Sequence, residues 1–456
     1  LSIAGNCRMC LVEVEGNPKP VASCSVPCTD GMKIKTTTNL VKKARKGVME
    51  FLLINHPLDC PICDQGGECD LQDIAMSYGG DKSRFTYNKR AVKEKNFGPL
   101  IKTVMTRCIH CTRCIRFATE VAGTPELGAT GMGENMEVTS YLDKTLSSEV
   151  SGNMIDICPV GALTSKPFSL TIRPWELSKT ESIDVTDAIC SNIRLDTRDN
   201  EVMRVLPIVN DEINEEWISD KTRFSYDGLK FNRLDKPYIR KENKLIESTW
   251  DETLNFIKKK LKKINKEKIA AVIGNQVECE SIILLKDLFK MLGSDNLLCS
   301  QNNASYQSIP RVAYTFNTTI SGIEESDFCL LVGTNPRKEA AILNTRIRKR
   351  YLQGNFEIFS IGPKFDINYP CKFLGDNPSI LKDTIRKKNL LSKKLAKAKK
   401  PLLIIGDNIF TRKDSNSFLS CIYDLCTSFK SCLLPLLKWP LFISQKILHI
   451  ELYNLL

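Results

Sequence analysis

No run of 18 uncharged apolar residues occurs in the 456-residue sequence. The nearest approach, Ser431 to Leu456, is interrupted by Pro435, Lys438, Pro440 and Lys446, so no membrane-spanning helix is expected. Aromatic residues are sparse at 7%, and no basic cluster interleaves with them, which argues against a base-stacking surface for nucleic acid. Charge alone does not decide that point: 65 Lys and Arg against 53 Asp and Glu give +12, an excess that suits nucleic acid, anionic lipid or acidic protein partners alike. A signal peptide is lacking, and no Arg-rich, acid-poor transit segment precedes the first motif. The sequence opens on Leu1 rather than Met, so a further N-terminal piece is expected.

What is plentiful is cysteine. Of 19, eleven fall at or before Cys158, many in C-x2-C pairs, and eight are scattered through the rest. Such density means disulfides in an oxidising compartment or metal ligands in a reducing one. Disulfide frameworks belong mainly to small secreted domains without a core, whereas this chain has length for about three domains and 42% hydrophobic content. Metal is therefore the expected use.

Residues 1–165 combine the cysteine pairs with glycines and short apolar runs, as expected where loops wrap cofactors and order depends on metal. One helix is legible there: Asn39 is placed to cap a stretch in which Val41, Ala44, Val48, Phe51 and Leu52 recur at helical spacing, ending near Asn55-His56-Pro57. Residues 166–250 alternate β-like segments (Ser182 to Val185, Asn192 to Asp196, Glu201 to Leu206) with turns such as Arg198-Asp199-Asn200. From about 251, apolar runs ending in glycine (269–274, 328–333, 356–362, 402–406) alternate with amphipathic stretches (Ser281 to Leu292, Glu339 to Tyr351). That pattern predicts a parallel sheet covered on both faces. Lys-rich runs at 258–268 and 386–400 read as solvated helix faces, and after about 410 the signals weaken, as though the sheet stopped short.

Three constellations carry chemistry. Cys108-x2-Cys111-x2-Cys114 with the remote Cys158-Pro159 has the four-thiolate spacing of a cubane [4Fe–4S] cluster; zinc, the alternative, favours two separated C-x2-C pairs. His56-x3-Cys60-x2-Cys63-x5-Cys69 places four donors close together, with Gly66-Gly67 free to turn left-handed around an inorganic core. For this segment alone, zinc held by three cysteines and one histidine remains a fair alternative. His56 is one of only three histidines, and a neutral ligand in place of a thiolate raises a cluster's potential. Cys7-x2-Cys10 with Cys24 offers three ligands of a [2Fe–2S] type; Cys28 reads as a bystander.

The segments Gly5 to Val14, Met49 to Leu53 leading into the His56 loop, Met105 to Phe117 and Ile155 to Ser165 resemble the 75-kilodalton iron–sulfur subunits of mitochondrial complex I and their bacterial counterparts. The similarity runs on through Arg173-Pro-Trp-Glu176, Asn214 to Phe224 and Gly333-Thr-Asn-Pro-Arg337 to about 406. The resemblance implies a [2Fe–2S] cluster on Cys7, Cys10 and Cys24, whose first ligand in the family would precede Cys7 by eleven positions. It implies [4Fe–4S] clusters on His56, Cys60, Cys63 and Cys69, and on Cys108, Cys111, Cys114 and Cys158. The implied fold is an α+β iron–sulfur, ferredoxin-like N-terminal region, a small β-rich unit, and an incomplete α/β molybdopterin-oxidoreductase-like domain. The expected division is 1–40 ([2Fe–2S] ferredoxin type, truncated), 41–80 ([4Fe–4S] on one histidine and three cysteines), 81–170 ([4Fe–4S] ferredoxin-like), 171–235 (a β-rich unit of the kind that carries a further cluster in some bacterial members) and 236–456 (partial α/β). Only Cys190 lies where that further cluster sits, so it is expected to be absent. No molybdenum is expected on Cys190, Cys279 or Cys329, and Gly333-Thr-Asn-Pro336 is expected to be a tight strand-to-helix turn.

The activity implied is one-electron relay between a flavin in a neighbouring NADH-binding subunit and ubiquinone elsewhere, within the peripheral arm on the matrix side of the mitochondrial inner membrane. No nucleic acid and no substrate site are expected, and no G-x-G-x-x-G follows a strand, consistent with NADH binding elsewhere. The rivals are an iron–sulfur subunit of a formate dehydrogenase or hydrogenase, for which no molybdenum ligand or extra cysteine cluster is evident, and a basic zinc module for nucleic acid.

Overall fold

The computed structural model describes residues 2–274, 277–298, 317–429 and the backbone of a strand at 432–436. Its first residues form an antiparallel sheet in which β1 (Leu11–Val14) lies between β2 (Val21–Ala22) and β3 (Ile34–Lys35). Helix α1 (Asn39–Ile54) buries Val41 and Met49. Its cap is Thr38 rather than the adjacent Asn39: the Thr38 hydroxyl accepts from the Val41 amide at 3.3 Å, as an N-cap oxygen must to satisfy an orphan donor. Helix α2 (Asp70–Tyr78) begins directly after Cys69, and Arg45 pins α1 to α2 by donating to Tyr78 Oη at 2.9 Å and to β1 by donating to Leu11 O at 3.0 Å.

Strand β4 (Ile101–Thr103) leads to the short helix α3 (Arg113–Arg116), which runs into a π-helical turn at Phe117–Ala122. A hairpin of β5 (Leu127–Thr130) and β6 (Glu137–Ser140) follows, then α4 (Asn153–Ile157) and β7 (Leu163–Ser165). Because β7 pairs antiparallel with β4, Thr103 opposite Leu163, the segments bearing Cys108 and Cys158 are brought side by side.

The β-rich unit is a meander of β8 (Ser178–Ile183), β9 (Asn192–Arg198) and β10 (Glu201–Pro207). Asp199 and Asn200 both adopt positive φ, 50° and 66°, the two-residue turn that suits hairpin twist. Helix α5 (Asp220–Phe224) then packs back on β10.

Beyond it lie the hairpin β11 (Tyr238–Lys241)–β12 (Lys244–Glu247), helix α6 (Trp250–Leu261), and a short parallel pair, β13 (Ala271–Val272) and β14 (Leu297–Leu298), joined by α7 (Cys279–Leu292). The main sheet contains β15 (Phe328–Val332), followed by α8 (Pro336–Glu339) and α9 (Ala341–Leu352), then β16 (Glu357–Ile361), β17 (Lys372–Gly375), α10 (Ser379–Ile385), α11 (Leu390–Lys397), β18 (Pro401–Gly406), α12 (Ser415–Phe429) and β19 (Cys432–Leu436). All five strands are parallel in the order β17-β16-β15-β18-β19. The sheet therefore continues past residue 410, and the expected Glu339-to-Tyr351 helix is two helices broken at Ala340. Most of 431–456 lies outside the described residues; among those described, no helix is long and apolar enough to cross a membrane.

At the carboxyl ends of the central strands the backbone touches itself. A Cβ on Gly406 would fall 2.1 Å from Gly333 O, and one on Gly362 3.2 Å from Gly333 Cα, so glycine is required there. Gly333 turns left-handed (φ 60°), and Thr334 Oγ1 and the Asn335 amide donate to the Glu339 carboxylate at 2.8 and 3.1 Å. The Gly333-Thr-Asn-Pro336 segment is thus a tight turn from β15 into α8. One core runs from Phe117 and Met154 through Trp217 to Ile342, Leu343 and Ile347, so the ferredoxin-like region and the α/β sheet share apolar packing.

Candidate metal centres

Cys108, Cys111, Cys114 and Cys158 line one small cavity whose other walls include Met105, Val138, Val160, Ala162 and Leu163. Between the first three the backbone turns left-handed at His110 (φ 53°) and Thr112 (φ 59°), which non-glycine residues do only where surroundings enforce it. The His110 amide donates to Cys108 Sγ at 3.4 Å. Cys158 arrives at the end of α4, and Pro159 prevents the helix from continuing. Burial pushes the Cys158 thiol up to about 12; burial, with Cys158, Cys108 and Cys111 beside it, also raises Cys114. Thiols gathered in an apolar cavity resist ionisation unless a positive centre binds them, which is the fit expected of a four-iron cluster.

In the second group Cys63 and Cys69 are buried and Cys60 is exposed. Burial raises Cys69, and Cys63 and Cys60 nearby raise it further. Gly67 is left-handed (φ 93°), and the loop is closed by the Arg173–Trp175 segment. Arg173 Nη1 donates to Cys63 O at 2.6 Å and Nη2 donates to Pro61 O, while a Cβ on Gly67 would meet the Trp175 ring at 2.6 Å. His56 is half-buried at the exit of α1. Burial, with Lys89 and Arg107 nearby, holds its imidazole below the usual value and hence neutral. Its Nδ1 is buried without a hydrogen-bond partner among the described residues. A neutral ring with a bare, buried nitrogen is costly by itself and is the state a metal ligand needs. No hydrogen bond among the described residues joins this imidazole to the three thiols.

Cys7, Cys10 and Cys24 line a third cavity, bounded also by Met49, Leu71, Cys111 and Pro159. Gly5 (φ 62°) and Arg8 (φ 58°) shape the approach. Burial acts to raise Cys10, but hydrogen bonds from the Cys24 amide and thiol outweigh it and leave Cys10 lowered; the same contact raises Cys24. Cys28 is exposed and outside this lining.

The groups abut. A Cβ on Gly161 would fall 2.2 Å from Cys63 Sγ, so the residue three past Cys158 has no side chain because a thiol of the second group occupies the space. Cys69 Sγ lies 3.6 Å from Pro159 O, and Met49, Cys69, Leu71, Val160 and Ala162 form a small core between the loops. No three Cys, His, Asp or Glu among the described residues converge as a single ion would require.

Family models match in series along the chain. A 2Fe-2S iron-sulfur cluster binding domain matches residues 1–39 and the NADH-ubiquinone oxidoreductase-G iron-sulfur binding region 45–84. The ferredoxin-like domain of NADH-quinone oxidoreductase subunit 3 matches 98–164, an NADH-ubiquinone oxidoreductase NDSU1/NuoG-like 4Fe-4S domain 177–227, and molybdopterin oxidoreductase 233–446. The chain is 55% identical over 443 residues to the NADH-ubiquinone oxidoreductase 75 kDa subunit of Reclinomonas americana, covering 93% of this chain and 64% of that protein. The chain belongs to the 75 kDa subunit family of NADH-ubiquinone oxidoreductase. A bacterial member, an NADH-quinone oxidoreductase chain of Rickettsia felis, is 55% identical over 429 residues (94% and 64%). NADH dehydrogenase (ubiquinone) iron-sulfur protein 1, mitochondrial, of Solanum tuberosum is 54% identical over 423 residues (92% and 57%). The chain thus spans under two thirds of the length of these three relatives.

Within this 75 kDa-family chain the 177–227 match holds one cysteine, Cys190, and so cannot supply four thiolates. Cys190 lies in the loop between β8 and β9, Cys279 opens α7 and Cys329 is buried in β15, so the three are not gathered in one element. The β unit instead braces the cysteine loops. Arg204 donates twice to Glu68, the residue before Cys69, at 2.7 and 2.8 Å, and once to fully buried Asp196 at 2.8 Å. Segment 214–224 clamps α4: Arg223 donates to Asp156, and Asn153 exchanges hydrogen bonds with the Ile218 backbone at 2.7 and 3.0 Å. Sequence reasoning missed Gly161, Asp59, Arg107, Arg204 and Arg223; the available signal was their adjacency to a ligand loop or their place in the family-like segments.

Proposed function

We propose that this chain is the electron-relay subunit of respiratory complex I. Its ligands would be Cys7, Cys10 and Cys24 for a [2Fe–2S] cluster, His56, Cys60, Cys63 and Cys69 for one [4Fe–4S] cluster, and Cys108, Cys111, Cys114 and Cys158 for another. The observation that carries this reading is contiguity: the second and third groups touch at Gly161 and Pro159, and the first borders Cys111.

When bound, such clusters supply reversible one-electron chemistry. The chain's own residues ligate, exclude water and fix spacing. The left-handed turns at His110, Thr112 and Gly67 aim the thiols inward, Arg173 and Arg204 brace the second loop, and amide-to-sulfur bonds such as His110 N to Cys108 Sγ tune potential. In this reading NADH reduces a flavin held by a neighbouring subunit, electrons pass singly through this chain toward ubiquinone, and no substrate is transformed here. The setting is peripheral on the matrix side of the mitochondrial inner membrane, supported by the mitochondrial relative.

Iron and acid-labile sulfide analysis with low-temperature EPR on anaerobically purified protein tests the assignment. Two [4Fe–4S] signals are expected, with His56→Cys lowering the potential of one. Stoichiometric zinc without sulfide would overturn it.

A further inference from the structure

We infer that Arg107 is a fixed cation shared by the two four-iron sites, raising both of their reduction potentials together. This rests on the ligand sets proposed above. Arg107 ends a 3-10 turn immediately before Cys108 and is only 4% exposed. Its side chain contacts both ligand loops. Nε donates to Asp59 Oδ2 at 3.0 Å, beside Cys60, and Nη1 donates to Gly161 O at 3.4 Å, just past Cys158. Gly161 is also where the Cys63 thiol is received: the position a Cβ would take lies 2.2 Å from Cys63 Sγ and 3.7 Å from Arg107 Cδ. Within this chain the guanidinium thus stands where the second group's Asp59 and Cys63 meet the third group's Cys108 and Gly161.

A buried guanidinium is expensive to desolvate and is retained only where charge compensates it. Its one carboxylate partner among the described residues, Asp59, has a side chain 31% exposed against 5% for Arg107, so water screens the anion more than the cation and a net positive potential remains inside. Clusters held by thiolates gain negative charge on reduction, so a buried cation between two of them favours the reduced state of each. Arg113, by contrast, is 43% exposed and pairs with Asp70 at 3.6 Å; its field is largely screened. With an effective dielectric of about 20 and partial cancellation by Asp59, removing the Arg107 charge is expected to change each reduced-to-oxidised ratio about tenfold, which for a one-electron couple is about 59 mV.

The test is an EPR-monitored redox titration of the full chain, reconstituted anaerobically with iron and sulfide, with iron and sulfide content measured alongside. Arg107→Gln should lower both [4Fe–4S] midpoints by that amount, Arg107→Lys should restore most of the shift, and Asp59→Asn should raise both. A purely packing role predicts cluster loss or unchanged midpoints. If Arg107→Gln fails to hold its clusters, Asp59→Asn and Arg107→Lys decide. Midpoints unmoved in Asp59→Asn, or only one moving, overturn the inference. Wild-type protein without clusters would sink the proposed function and this inference with it, whereas clusters present with unmoved potentials would sink this inference alone.

Discussion

In the α/β region, β15 and β18 are buried along their whole length, and Leu330, Phe359, Leu403 and Ile405 pack with Leu419, Ile422 and Leu425 in one dense cluster. Between the second and third cysteine groups the core is only five residues, two of them Cys69 and the small Ala162, although Cys108, Cys114 and Cys158 also lean on the larger core through Met105, Met154 and Leu163. Much of what fixes the loops is polar: Arg107 on Asp59 and Gly161, Arg173 on Cys63, Arg204 on Glu68, Arg223 on Asp156. Apolar burial needs no cofactor, at roughly 25 cal/mol per Å2. Thiols pressed together in low dielectric without a metal are a net cost. One region is built to stand alone and the other to be completed.

The sharpest way to break that contrast is to strip the iron and sulfide. Hydrogen-exchange protection should then collapse across the Cys60–Cys69 and Cys108–Cys114 loops, while the amides of β15, β16 and β18 stay protected; loss of both together would show a single cooperative unit. Next, Leu330→Ala, at a site with no exposure, should cost about 2–5 kcal/mol of α/β stability in denaturant unfolding, with EPR spectra unchanged. The smallest effect concerns the junction. Burial acts to raise the Glu149 carboxyl, but hydrogen bonds from Arg337 Nε (2.8 Å) and Lys338 outweigh it and hold it below the usual carboxylate value. A depressed folded value means the contribution is complete above the unfolded value of about 4.3 and is lost as pH falls through the folded one. Glu149→Gln should therefore cost about 2 kcal/mol at neutral pH and nothing further in acid, seen as a difference in melting temperature between wild type and variant that closes below about pH 4.

The gathering of Cys108, Cys111, Cys114 and Cys158, and of Cys7, Cys10 and Cys24, around common cavities was legible because cysteine spacing is largely local, and the glycine-ended apolar runs because parallel strands buried on both faces need unbroken hydrophobicity. The braces were not, since Arg204 reaches Glu68 across 136 positions and nothing local marks the pairing. The helix cap was misplaced by one residue because Thr38 and Asn39 are both capping types. The sheet's continuation through α12 and β19 was missed because Pro435 and nearby lysines weaken the pattern, although a strand at a sheet edge tolerates proline.

One further consequence follows from the glycine contact at the head of the main sheet. In open parallel sheets the crevice where strand order reverses, here between β15 and β18, is the usual door for a guest molecule. As this chain folds, Gly333, Gly362 and Gly406 are already at contact distance there, and the Glu339 carboxylate sits on the Asn335 amide that would greet a phosphate. An anionic visitor would have to evict an anion and wedge apart main-chain atoms, so the sheet's most hospitable corner is tenanted by the protein itself.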